Sequence, residues 1–332
     1  MPALGETELK SELRTRRERL ESALSTGGES ARLEGLLEEV DEALERLEAG
    51  NYGLCDSCHE TIEIERLLGD PLLRTCLDHL TEPERRALEE DLALASRIQS
   101  GLLPRRDLAT AGWEVFYHYE PAGPVSGDYC DLVPAEDEAG PLFFLLGDVA
   151  GKGVAASMLM AGLRATVRTL LGTDLTVGDL LARANRLFCE GAAPSHYATL
   201  VCGKASRAGR IEVANAGHCP PLLLRGGEVL GISATGLPIG LFCGTQFGAT
   251  TVDLAPGDTL LLYTDGLSES RDRSGAEYGA ERVSRLLAEA RATRPKALVA
   301  AILEDLAGFR AAAPRRDDLS LMAIQRSPGA RI

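Results

Sequence analysis

The chain has 332 residues, 45% hydrophobic and 26% charged, a globular composition whose length fits about two domains and excludes disorder and collagen-like repeats. Its 35 Lys and Arg against 50 Asp and Glu leave a net charge of −15, which opposes a nucleic-acid backbone binder, because that mode trades condensed counterions for basic side chains. Apolar runs such as Leu142 to Leu146 fall far short of the roughly 20 residues of a spanning helix, and the charged stretch Glu6 to Arg19 has no signal-peptide pattern, so a cytoplasmic protein with no membrane partner is expected.

Residues 1–104 carry a net −12 and residues 105–332 a net −3, which marks two pieces of different character. In the first, Leu9, Leu13, Leu20 and Leu24, and then Leu33, Leu36, Leu37, Val40, Leu44 and Leu47, recur at helical spacing. Ser25-Thr26-Gly27-Gly28 interrupts them, so residues 1–50 read as a helical hairpin. Residues 51–81 hold Cys55-x2-Cys58, then seventeen residues, then Cys76-x2-His79. Two such knuckles offer two ligands each to one tetrahedral Zn²⁺; His59 is the rival fourth ligand, but it breaks the two-plus-two symmetry. The remaining cysteines, Cys130, Cys189, Cys202, Cys219 and Cys243, stand in apolar surroundings and read as buried thiols. Residues 82–104 form a third helical segment through Leu88, Leu92, Ala95, Gln99 and Leu102, ended by Pro104, which reads as a connector whose seam is spaced to pair with a second copy in a homodimer or to lie back on its own domain.

From residue 105 to 328 the texture changes to short strands: Trp113–Tyr119, Tyr129–Val133, Leu142–Val149, Tyr197–Gly203, Arg210–Ala214, Pro221–Leu224, Thr250–Leu254, Thr259–Tyr263 and Leu319–Gln325. Helical stretches come in pairs, 154–171 with 176–190 and 279–291 with 295–310. Strands following strands predict an α+β fold of antiparallel sheets flanked by helices. Asp128, Asp148, Asp265 and the pair Asp317-Asp318 sit at strand ends or beside glycine; singly each fits a turn, but together they form a hard-oxygen cluster suited to Mg²⁺ or Mn²⁺. Gly151-Lys152-Gly153 lacks the spacing and the Ser/Thr of a P-loop, and no second parallel strand follows to make a dinucleotide site.

Two resemblances follow from these motifs. The stretch LERLEAGNYGLCDSCHETIEIERLLGDPLLRTCLDHL, residues 30–82 in broad terms, resembles the zinc finger of the DksA/TraR family, with His79 where that family usually has a fourth cysteine. The motifs SRIQSGLLP, PAGPVSGDYCD, GDVAGKGVAASMLM, VANAGHCPPLLL, LAPGDTLLLYTDGLSES and RDDLSLMAI, in that order, resemble the SpoIIE-like branch of the metal-dependent protein phosphatases, relatives of protein phosphatase 2C. The second resemblance implies a layered α-β-β-α domain and a Mg²⁺- or Mn²⁺-dependent phosphoserine/phosphothreonine phosphatase. It implies Asp128, Asp148 and the carbonyl of Val149 as ligands of two ions, with Asp148 bridging, and Asp265 and Asp317 completing the set. Asp318 is the weaker choice of the final pair, and Asn215, Gly217 and His218 read as structural. It further implies a phosphorylated anti-sigma-factor antagonist of the STAS type as substrate, with the N-terminal finger as regulatory input. The alternative, a DksA-like regulator of RNA polymerase on a non-catalytic phosphatase fold, fits less well: all the aspartates are retained, and the expected turn, Gly27-Gly28-Glu29, lacks paired aspartates.

Overall fold

The computed structural model describes residues 3–25, 30–135, 140–193, 195–290, 293–311 and 313–328. It divides into two compact units, Met1–Asp91 and Leu92–Ile332.

In the first unit, α1 (Ala3–Ser25) and α2 (Ser30–Ala49) pack through the leucine stripes: Leu13, Val40, Ala43 and Leu47 are buried together. The expected turn at Gly27, Gly28 and Glu29 lies outside the described residues. Leu9 reaches a second small core made by Cys55, Ile62, Leu67 and Cys76. Between the two cysteine knuckles lies a short helix that periodicity did not reveal, α3 (Ile64–Gly69), and Leu77–His79 forms one 3₁₀ turn. Helix α4 (Glu82–Leu102) starts at a capping box, in which the Thr81 N–H donates to Glu84 at 2.8 Å and the Glu84 N–H donates to the Thr81 hydroxyl at 3.4 Å. Its residues from Leu92 onward belong to the second unit.

The second unit has two antiparallel sheets. One follows the order β1 (Asp107–Thr110), β2 (Trp113–Glu120), β11 (Leu319–Arg326), β10 (Thr259–Tyr263), β7 (Leu222–Arg225), β8 (Glu228–Gly231); the other runs β3 (Asp128–Pro134), β4 (Leu142–Val149), β5 (Ala198–Ala205), β6 (Arg210–Ala216), β9 (Thr250–Asp253). Strand β2 alternates buried and half-buried positions, as a strand with one covered face should, whereas the central β11 is buried throughout. The inner faces share a core of Trp113, Tyr117, Phe144, Leu260 and Ile324. Helices α5 (Gly153–Leu171) and α6 (Val177–Gly191) cover the outer face of the five-stranded sheet through Met160, Val167 and Leu181, and α8 (Ala280–Glu289) and α9 (Pro295–Arg310) cover the six-stranded one through Val283 and Ile302. The result is the four-layer α-β-β-α arrangement.

Helix α5, expected at 154–171, is long and apolar enough to cross a membrane by length and composition alone. Its Ala156, Met160, Leu163, Val167 and Leu170 are spaced along one face and buried in the core. On that helix Arg168 makes a bidentate pair with the fully buried Asp131, both contacts 2.7 Å, which seats α5 on β3. Edge strands β1 and β8 and the single turn α7 (Asp265–Ser268) were not anticipated, being too short to show a period. Cys130 and Cys202 are buried as expected, but Cys243 is exposed, since it lies in the loop after β8.

Candidate active site

The aspartates converge because the ends of central strands from both sheets meet. Asp128 opens β3, Asp148 nearly closes β4, and the two are direct partners across the antiparallel ladder, so their side chains share a face. On the other sheet, β10 runs into Thr264-Asp265, and β11 begins just after Asp317-Asp318. The junction is stitched by hydroxyls: Asp128 Oδ2 accepts from Thr264 Oγ1 at 3.1 Å and from Ser320 Oγ at 2.5 Å. Thr264 and Ser320 lock to each other in turn, each through its own N–H, at 3.0 Å.

These carboxylates repel one another in a poorly solvated place. Burial first, then Asp265, Asp317 and Asp318, push the Asp148 carboxyl up to about 7. Asp265 is raised by burial and by Asp317. Asp128 is raised well above the carboxylate range by burial and by Asp148, although the Ser320 and Thr264 hydroxyls pull the other way. The cation facing them is Lys152, whose Nζ stands 3.3 Å from Asp317 and donates to the Arg316 carbonyl at 2.8 Å.

Asp317 and Asp318 part company. Asp318 accepts from the Ala122 N–H at 2.7 Å on one oxygen, and from Ser126 Oγ at 2.7 Å and the Gly127 N–H at 2.9 Å on the other, so it ties down the loop that presents Asp128. Asp317 is exposed and faces Lys152. At Gly127 a side chain has no room: an added Cβ would stand 2.8 Å from the Val149 carbonyl oxygen and 3.2 Å from Asp148 Oδ1. Those two oxygens therefore turn toward one small space that only glycine leaves open.

Asn215 and His218 form a closed turn, with Asn215 Oδ1 accepting from the His218 N–H at 2.8 Å. His218 Nδ1 lies 2.8 Å from Thr199 Oγ1, and Thr199 is the β5 partner of Asp148. Burial pushes His218 down to about 4, so the ring is neutral at pH 7 and stands behind the carboxylates.

Sequence reasoning passed over Thr264, Ser320, Lys152 and Gln99. The hydroxyls carried a signal, being polar residues inside otherwise apolar strand ends. Gln99 did not, since it looked like one more position on the α4 seam. It is buried, with its amide Nε2 donating to the Ser126 carbonyl at 2.7 Å and its Oε1 accepting from the Ser126 N–H at 3.0 Å.

In the first unit the ligand atoms of Cys55, Cys58, Cys76 and His79 all lie within 4.8 Å of one another. Cys58 and Cys76 sulfurs are 3.8 Å apart, and His79 Nδ1 is 3.2 Å from the Cys76 sulfur. Backbone N–H groups of Cys76, Cys58 and Ser57 directed at the Cys55 sulfur lower it to about 6, which favours a thiolate. His59, the rival ligand, instead occupies a left-handed position (φ 60°) that turns the first knuckle.

Residues 138–327 match the family described as Stage II sporulation protein E (SpoIIE). The chain belongs to the SpoIIE family. Protein IcfG of Synechocystis sp. is 27% identical over 267 residues, covering 71% of this chain and 42% of that protein. The protein named phosphoserine phosphatase RsbU of Bacillus subtilis is 22% identical over 191 residues, 57% of this chain and 56% of that protein. The chain thus spans about half the length of these relatives. The SiaA-PP2C domain of Pseudomonas aeruginosa superimposes with a TM-score of 0.63 at 21% identity, over 73% of this chain and 98% of that domain, which shows a shared fold. The SpoIIE match begins at residue 138 and leaves out the first unit, where the structure shows a Cys3His cluster but no DksA/TraR family is shown.

Proposed function

We infer that the chain is a phosphoserine/phosphothreonine protein phosphatase that works with two Mg²⁺ or Mn²⁺ ions. The observation that carries this reading is the meeting of Asp128, Asp148, Asp265 and Asp317 from the ends of two sheets. The donor set fits divalent cations: it is all oxygen, it is crowded enough to raise its own carboxyls, and the Val149 carbonyl with Asp148 Oδ1 faces the space before Gly127. Bound there, the two ions would supply activation of water as a nucleophile and neutralisation of the phosphoryl oxygens.

The chain's own residues hold that arrangement. Thr264 and Ser320 fix one oxygen of Asp128, Asp318 fixes the 122–127 loop, and neutral His218 and Thr199 back Asp148. Lys152 opposes the negative charge at the rim beside Asp317. The expected result is phosphate release from phosphoserine and phosphothreonine peptides that needs millimolar Mn²⁺ and stops with chelator. A metal-replete, folded chain that releases nothing from these peptides or from an aryl phosphate would leave the fold as a scaffold.

The relatives named RsbU and RsbP, both phosphoserine phosphatases by name, support a phosphoprotein substrate, and we assign it to the anti-sigma-factor antagonist (STAS) type in a partner-switching pathway. Pairing of α4 with a second copy is proposed on the exposed Leu88 of the seam, while Gln99 of the same seam is instead buried against Ser126 of its own domain.

Gln99 acts as a positioning residue in this reading. Exchange for leucine, of similar volume, strips both partners from the buried Ser126 backbone at a cost of about 1–3 kcal/mol. The expected outcome is a roughly tenfold rise in the Mn²⁺ concentration that half-saturates the thermal shift. An unchanged midpoint at unchanged metal-free stability would show that the clamp does not position Asp128.

Cys55, Cys58, Cys76 and His79 are the proposed ligands of one structural Zn²⁺, replacing a core too small to fold residues 51–81 alone. One zinc per chain is expected by elemental analysis. Cys76→Ser should lose it, with hydrogen-exchange protection collapsing at the Cys55 and Ile62 amides; retained protection in the zinc-free variant would remove the structural role.

A further inference from the structure

Next to the candidate active site lies a cleft of about 630 Å³ whose near end is formed by Gly266 and Asp317. Its walls are the 269–275 loop, Arg310 and residues 313–317; five arginines line it, Arg271, Arg273, Arg310, Arg315 and Arg316, against three acidic residues, Glu269, Asp272 and Asp317. In a chain of net charge −15, so many guanidiniums on one concave surface run against the background.

The five are not equivalent. Arg271 pairs with Glu277 at 2.6 Å, and Arg315 pairs with Glu120 at 2.5 Å and donates to the Pro121 carbonyl, so these two are tied to the protein. Arg273, Arg310 and Arg316 have no carboxylate partner among the described residues; Arg310 donates to the Ala313 carbonyl at 3.1 Å. Arg273 stands on a stiffened turn. Asp272 Oδ1 accepts from the Ser274 N–H, Ser274 Oγ and the Ala276 N–H at 2.8, 2.7 and 3.0 Å, so its charge is spent inside the loop. The Gly275 N–H closes the turn on the Asp272 carbonyl at 3.1 Å, which leaves Arg273 exposed at its tip. Arg316 precedes Asp317 directly and is exposed.

We propose that this cleft receives the segment flanking the phosphorylated residue of the substrate protein, and that Arg273, Arg310 and Arg316 select for Asp and Glu in that segment. The inference rests on the phosphatase reading above and adds the substrate's sequence preference to it. Charge complementarity supports it: an unpaired guanidinium binds a carboxylate through two parallel N–H donors, so the fork recognises acidic side chains over neutral ones. Location supports it too, since a chain whose phosphate lies at Asp265 and Asp317 needs only a few residues, at about 3.3 Å each, to run along the cleft.

The test compares phosphoserine peptides identical except for flanks, with three acidic, three neutral or three lysine residues placed on either side of the phosphoserine, in full-length protein with Mn²⁺. The wild-type chain is expected to favour the best acidic-flank peptide over the neutral one by about tenfold in kcat/KM, mainly through KM, with the advantage shrinking in high salt. In Arg273→Glu the acidic-to-neutral ratio should fall to near one or below, and the lysine-flank peptide should gain. Equal kcat/KM for acidic and neutral peptides in the wild type overturns the proposal, as does a full acidic preference retained by Arg273→Glu. Phosphate release from none of the peptides is a different failure, that of the phosphatase reading itself.

Discussion

Replacing Asp148 with asparagine is expected to cut Mn²⁺-dependent phosphate release by about 10³-fold or more, which corresponds to about 4 kcal/mol of lost transition-state stabilisation. Asp148 lies on the ladder between Asp128 and Thr199 and is the residue most exposed to the charge of Asp265, Asp317 and Asp318, as expected of a ligand shared by two ions. The same substitution is expected to stabilise the metal-free protein. With its carboxyl at about 7 in the fold against 3.8 in an unfolded chain, Asp148 binds a proton more tightly when folded. Folding therefore loses stability as pH rises from about 4 to about 7, and nothing further changes above that. Asparagine has no such penalty, so the melting temperature of the variant, measured with chelator, should exceed that of the wild type at pH 8 by the equivalent of about 4 kcal/mol at most and should match it near pH 4. Adding Mn²⁺ should reverse the order, because ions that bind only the folded wild type stabilise it by mass action. A variant that keeps full turnover, or that melts below the wild type at pH 8 in chelator, would remove Asp148 from the centre of the cluster.

Much of this domain was legible because its central strands are long and apolar. Leu142–Val149 and Thr259–Tyr263 stand in the structure at the bounds their residue pattern implies, and α9 at Pro295–Arg310 likewise. The first residue of β11, Leu319, was legible too, so the aspartates at these strand ends could be placed in one region before any coordinates. What escaped has a physical cause in each case. Strands β1 and β8 have four residues each, too few for a period, and they gain their pairing from β2 and β7 rather than from their own propensity. The different surroundings of Asp317 and Asp318 were invisible because adjacent residues share composition and differ only in direction. Their separation depends on Ala122, Ser126 and Gly127, nearly two hundred residues away in sequence. Gln99 belongs to the same class, a polar residue whose partner is the backbone of a distant loop.

Gly266→Ala is the second substitution expected to have a large effect, and its reason differs from that usually given for glycine. Asp265-Gly266 reads in the sequence as a pair that fits a turn. In the structure Gly266 lies in the helical turn α7 and is absent from the positive-φ positions, so alanine fits its conformation. The constraint is space: a Cβ there would collide with the Asp318 carbonyl oxygen, well inside any real contact, with the Leu319 Cα 3.6 Å behind it. The obstacle is backbone, at the point where β11 begins and where Asp318 clamps Ser126 and Gly127. To accommodate the methyl group, the 317–319 segment must move away from Asp265, opening the distance between two of the proposed ligands and loosening the loop of a third. The expected cost is about 2–4 kcal/mol in stability, with turnover falling about 10²-fold, the usual penalty for a misplacement of about an ångström at a reacting centre. Gly308→Ala provides the contrast. Gly308 sits inside α9 with nothing within 4 Å of an added Cβ, so alanine should raise stability there by about 0.5–1 kcal/mol through helix propensity. Thermal melts and Mn²⁺ titrations of the two variants side by side separate close approach from backbone freedom. If Gly266→Ala melts and turns over like the wild type, the junction of the two sheets is not held by this contact, and the spacing of Asp265 and Asp317 must be set from elsewhere.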